Sequence, residues 1–231
     1  AGNKPMGEKL KNPPLVEAVC EFRFDPAAAW DWAIPGQLYD KISGDFPVKA
    51  QMQSLGLALQ VGASPAQPQG IRATQVQTGP ERVQLKRADG SAMVQVGPHL
   101  LAVNHLRPYP DWQRFRSLAM RMFGAYASVS TESGLKQIGL RYINQIEAPE
   151  AGCKIDGYIT VTPSLSNYLA KEVAAFFQRY ELIVEQPKAT LIHQTGFQFR
   201  ENKPVIFVDL DLVSNQVAAL KNALAVEDWL N

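Results

Sequence analysis

The sequence predicts an α+β fold: antiparallel sheet, with helices segregated from the strands. Residues 16–24 alternate apolar and polar side chains over a full strand length. Strand signals then recur in hairpin runs, of which Asp89-Gly90 is the strongest marker in the chain. The helical periodicities stand between strand groups and do not alternate one for one with strands, which argues against a parallel α/β plan. A single domain over 1–231 follows, with two pseudo-repeated halves, 12–130 and 134–231, as its expected internal layout.

Val16, Ala18, Cys20, Phe22 and Phe24 point one way and Glu17, Glu21 and Arg23 the other, a half-buried strand entered through Pro13-Pro14. Pro35 at its start and Gly44 after its end frame a helix over Pro35–Ser43. Leu55, Leu57, Leu59 and Val61 alternate as a strand, followed by a Pro- and Gln-rich loop, Pro65–Gly70. Gln75–Thr78 and Arg82–Arg87 read as strands flanking Gly79-Pro80, and Gly97-Pro98 separates the next strand from Leu100–His105. Asp111–Val129 is the clearest helix: Trp112, Phe115, Leu118, Met122, Tyr126 and Val129 recur at steps of three and four, and Asp111 is placed to cap it. Ile138, Leu140, Tyr142 and Ile146 share one face of a further strand, with Gln137, Arg141, Gln145 and Glu147 on the other. A helix over Leu165–Tyr180, strands over Thr190–Arg200 and Val205–Val213, and a closing helix over Val217–Leu230 complete the reading.

Composition bounds the class. Hydrophobic residues make up 46% and charged residues 19%, with 23 Lys plus Arg against 22 Asp plus Glu. Such a balance excludes a long disordered tail and a uniformly basic nucleic-acid binder. No apolar run reaches the roughly 18 residues of a membrane helix, so no membrane partner is expected. The start lacks a signal-peptide core; Met6 reads as a native first residue, with 1–5 as a cloning remnant. Two cysteines, Cys20 and Cys153, are no disulfide framework and read as free thiols in the cytoplasm.

No catalytic constellation assembles, and no cofactor is expected. His99, His105 and His193 lack metal-ligand spacing. Asp209 and Asp211, two apart in a strand, share a face with Phe207. They are weak candidates for a metal-dependent enzyme, and the regular alternation favours a solvated face with Ile206, Val208, Leu210 and Leu212 toward the core. Glu21 and Arg141 sit on polar faces of strands that would pair if the two were neighbours. Between Pro108 and Pro110 the chain crowds Asn104, His105, Arg107, Tyr109 and Trp112 into a strand-to-helix corner. A rigid aromatic–Arg corner suits partner anchoring, and it suits equally a structural corner with Trp112 in the core.

Charge is segregated along the chain. Residues 72–121 carry eight cations (Arg72, Arg82, Lys86, Arg87, Arg107, Arg114, Arg116 and Arg121) against three anions, net +5. Residues 1–71 are net −1 and residues 122–231 net −3. One exposed basic surface would bind nucleic acid; the same cations balanced by acids in three dimensions would not.

Four blocks carry a family resemblance: KNPPLVEAVCEFRF (Lys11–Phe24), VQVGPHLLAVNHLRPYPDWQRF (Val94–Phe115), GLKQIGLRYINQIE (Gly134–Glu147) and VIFVDLDLVS (Val205–Ser214). In this order they resemble a sporadically distributed bacterial and archaeal family without an assigned activity. The resemblance transfers no catalytic residue. Its patchy distribution implies accessory genes of defence or toxin–antitoxin type, and its members continue past the final helix, where this chain stops at Asn231. The expectation is a non-catalytic cytoplasmic accessory protein that engages a protein partner, with nucleic-acid binding as the alternative.

Overall fold

A computed structural model describes residues 12–26, 29–52, 55–60, 72–77, 82–131, 134–147, 158–159, 166, 168, 175–200, 203–217 and 223–230; side chains are described for these except 51–60, 72–77, 200, 223 and 224. In chain order the elements are β1 (Leu15–Asp25), α1 (Ile34–Ile42), β2 (Val48–Met52), β3 (Leu55–Gln60), β4 (Arg72–Gln77), β5 (Arg82–Lys86), β6 (Ala92–Gly97), β7 (Leu100–Leu106), α2 (Trp112–Ala127), β8 (Gly134–Glu147), β9 (Phe176–Val184), β10 (Ala189–Arg200), β11 (Lys203–Ser214) and α3 (Ala223–Trp229).

One antiparallel sheet of nine strands runs β2-β5-β6-β7-β1-β8-β11-β10-β9, and β3 pairs β4 in a separate two-stranded ribbon. The architecture is sheet-dominated and compatible with the expected α+β class. β1 lies at the centre, paired to β7 on one side and β8 on the other. The connections differ on its two sides. β5, β6 and β7 form a meander, whereas the chain leaves β8 for the far edge at β9 and returns through β10 to β11. A pseudo-repeat of the halves is not shown.

Alternation in β1 fixes the core. Ala18, Cys20, Phe22 and Phe24 are buried beside Val94, Val96, Leu101 and Val103 of neighbouring strands. α2 packs onto this face through Phe115, Leu118, Met122 and Tyr126, with Phe22 and Phe123 ring centres 4.9 Å apart. Asp111 caps α2 by accepting from the Arg114 N–H at 2.8 Å, as its position before the apolar stripe predicts. A register shift between Leu15 and Glu17 turns Leu15 into the core, which strict alternation would not. Gly90 takes φ +71° in the Asp89-Gly90 turn, whose Asp89 Oδ1 accepts from the Ser91 N–H and hydroxyl.

Several expectations are corrected. Phe176–Tyr180, read as the end of a helix from Leu165, belongs to strand β9. Phe176, Phe177 and Tyr180 fit helical spacing, but the segment is rich in aromatic and β-branched residues and pairs with β10. β2, too short and polar to signal itself, was not foreseen. The closing helix is described only over Ala223–Trp229, with buried Val217 in non-helical chain before it. The Pro65–Gly70 loop, Cys153 and residues 148–157 lie outside the described residues.

Candidate functional site

The corner between β7 and α2 exists as the sequence predicts, but its residues divide into different roles. Arg107 precedes a cis peptide to Pro108. Its Nε donates to the Leu15 carbonyl at 2.8 Å, and its Nη2 donates to the Pro14 carbonyl at 2.9 Å and the Gln145 carbonyl at 3.4 Å. These carbonyls lie at the start of β1 and near the end of β8, beside the register shift, so Arg107 rivets three chain segments together. Asn104 is a buried crosspiece: its Nδ2 donates to Glu17 Oε1 at 2.7 Å and its Oδ1 accepts from Gln95 Nε2 at 3.1 Å. His105 is also buried, with Nδ1 2.9 Å from the Leu106 carbonyl and its ring edge-on to Tyr109 and Phe115. Trp112 is half-buried against Phe115. Of the five anchors expected at this corner, Tyr109 and Arg107 line open space, Arg107 while bound to backbone.

That space is an open groove of about 1320 Å³. It is lined by Pro13 and Pro14 before β1, by Pro108, Tyr109 and Pro110 at the corner, and by Tyr142 and Ile146 of β8 and Leu210 of β11. Asn12, Arg107, Asp111, Asn144, Gln145 and Glu147 supply its polar groups. The Tyr109 and Tyr142 hydroxyls lie 3.2 Å apart, and burial pushes both phenols above their ordinary range. Tyr142 and Leu210 are absent from the sequence-derived site. Their apolar faces were legible, but the β8–β11 register that sets them opposite each other was not.

The basic 72–121 stretch does not converge. Arg82 lies 3.8 Å from Glu21 on the sheet, Arg114 pairs with Asp111, Arg116 with Glu227 of α3, and Arg121 with Asp45. Arg87 stacks over Phe46, and Arg107 is held by carbonyls. Lys86 is half-buried on β5, and the Arg72 side chain lies outside the described residues. Among the described residues, acids pair with four of the eight cations, and three of those four acids come from residues 1–121, not from the acidic C-terminal half.

The sheet face opposite α2 carries a second polar cluster. Arg141 donates Nε to Asp209 Oδ1 at 2.8 Å and Nη2 to Asp209 Oδ2 at 2.6 Å, a two-pronged fork across β8 and β11. Gln194 adds a donor to Oδ2 at 3.1 Å. The expected Glu21–Arg141 pair does not form: β1 and β8 are neighbours, but Glu21 faces Gly139 and pairs with Arg23 instead. Both oxygens of Asp209 are thus committed, and among the described residues no group of three His, Cys, Asp or Glu side chains is arranged to hold a metal. Burial pushes the Cys20 thiol up, away from nucleophilic character.

Asp211, on the same face, is half-buried, and its carboxyl is pushed up to about 6, first by burial and then by Asp209 and Glu21 against the opposing pull of Arg141. A carboxyl raised in the folded state keeps a proton that the unfolded chain has already released. Its contribution to stability therefore falls as pH climbs from about 4 to about 6 and is level above that. Asp211→Asn should remove this loss. Its stability advantage over the wild type should be larger at pH 7.5 than at pH 4.5 by about 1 kcal/mol, allowing for solvent screening. Urea midpoints of both proteins at the two pH values measure this, and an advantage independent of pH refutes it.

No family model matches this chain, and no curated protein matches it.

Proposed function

We propose that the chain is a non-catalytic binding module that engages a protein partner through the groove beside the β7–α2 corner. The groove itself carries this reading: an open groove lined by prolines, tyrosines and apolar side chains suits an extended polypeptide segment. Of the carboxylates in the lining, Asp111 already caps α2 and pairs with Arg114, and Glu147 favours a segment with apolar residues and a basic flank. A rigid lining favours affinity because little conformational freedom is lost on binding. The family resemblance adds a defence or toxin–antitoxin-like setting. The dispersed and internally paired cations of residues 72–121 give nucleic-acid binding less support.

Arg107 is a poor probe of this function, because its loss also unfastens β1 from β8. Leu210, half-buried in the groove lining, is a better one. Selection of displayed random peptides on the protein should enrich apolar sequences flanked by Lys or Arg. Leu210→Gln should weaken their binding about tenfold or more while the melting transition stays cooperative. No enrichment, or equal binding by the variant, removes the reading.

A further inference from the structure

The two outer strands of the nine-stranded sheet are protected to very different degrees. β2 is five residues long and places Lys49 over the Tyr39 ring, 3.5 Å from its centre. A short edge strand bearing Lys resists pairing with another chain. β9 is nine residues long and contains no proline, and among the described residues no strand pairs with its outer edge. Ile183 is 83% exposed, Phe177 and Leu182 47% each, and Tyr180 42%. Such an edge offers unpaired backbone donors and acceptors together with apolar side chains.

The order of residues in β9 names the strand that fits it. The sequence FFQRYELIV has Tyr180 at its centre, Arg179 and Glu181 on either side, and apolar residues at both ends. When two copies run antiparallel about Tyr180, Arg179 of each stands opposite Glu181 of the other. Phe177 then faces Ile183 on the same side, and Phe176 faces Val184 on the other side. Directly opposed charges and apolar pairs both stabilise antiparallel strands. Centring the pairing on residue 179 opposes two arginines, and centring it on residue 181 opposes two glutamates, so the neighbouring registers are penalised. Within one chain Arg179 and Glu181 already lie 2.8 Å apart, so both charges are in place on the exposed edge.

We infer that β9 is a homodimerisation edge, where two copies of this chain pair antiparallel about Tyr180 and continue the sheet across a two-fold axis. This contact is isologous, so it closes at two copies. It is separate from the groove, and either reading can fail alone.

Charge exchange tests the register. The wild-type chain should sediment at twice its 25.5 kDa mass at micromolar concentration. Arg179→Glu opposes two glutamates across each pair and Glu181→Arg opposes two arginines, so each variant alone should be monomeric. Mixing the two variants restores opposite charges at both positions although neither chain retains its internal pair, and the mixture should dimerise. The double exchange Arg179→Glu/Glu181→Arg should dimerise by itself. As a measurement independent of charge, Tyr180→Cys should cross-link to its own copy under mild oxidation faster than Phe176→Cys or the wild type. A monomeric wild type, single variants that stay dimeric, or a folded mixture that stays monomeric overturns the inference. Misfolded single variants leave the decision to the cross-linking rates, and equal rates overturn it as well.

Discussion

Phe115→Ala is expected to destabilise the protein by about 3–5 kcal/mol, the range for removing a fully buried aromatic ring. Phe115 is 0% exposed and is the hub of the corner. Its ring centre lies 5.9 Å from Tyr109, 6.2 Å from Trp112 and 6.5 Å from His105, each at a steep angle that sets a ring edge toward a ring face. Truncation removes the apolar transfer energy, three ring contacts and the support beneath Tyr109. The neighbours cannot collapse freely into the space, because the Asp111 cap fixes the start of α2 and hydrogen bonds fix His105 and Tyr109. Urea unfolding should show a lower midpoint with an unchanged slope. A loss under about 1 kcal/mol would mean that the corner repacks, and the rigidity ascribed to the groove would go with it.

Asp209→Ala should cost about 2 kcal/mol, the second-largest effect expected. It strips both prongs from Arg141 and the acceptor from Gln194 on a face where Asp209 itself is nearly buried. The cost arises chiefly because the guanidinium stays behind, partly desolvated and unpaired. Replacing both partners separates these contributions. Asp209→Leu with Arg141→Met should recover much of the loss, since no charge then lacks a partner. A double-mutant cycle on denaturant midpoints measures the coupling. Additive single effects would show that the fork contributes nothing beyond its separate parts.

The sequence made the fold legible wherever one face of an element is buried. β1, α2, β8 and β11 each carry their period plainly, and the faces assigned to Phe22, Phe115 and Ile138 stand, whereas Asp209, on the face read as solvated, is buried beneath Arg141 and Gln194. β9 was misread because it is exposed on both sides, so burial imposes no alternation on it and its aromatic spacing imitates a helix. Pairing choices were illegible for a different reason. Which acid meets Arg141 depends on the registers of β1, β8 and β11 together: Glu21 stands two positions away, opposite Gly139, while Asp209 lies diagonally across β11. The groove was half legible: Arg107 and Tyr109 stood out beside their prolines, whereas Pro13, Tyr142 and Leu210 meet them only through contacts distant in sequence. The local charge excess of residues 72–121 held in number but not in space, since β5, the corner and two sides of α2 divide it.

The central position of β1 bears on how the chain is made. Its two sheet neighbours are β7, ending at Leu106, and β8, ending at Glu147. A ribosome adding roughly 5–20 residues per second needs on the order of 6–25 s to pass from the end of β1 to the end of β8. Throughout that interval the central strand has at least one open flank. Closing it requires contacts between residues far apart in sequence, the slow class of folding step. A nascent chain of this design has reason to depend on a chaperone that shields β1 until β8 emerges.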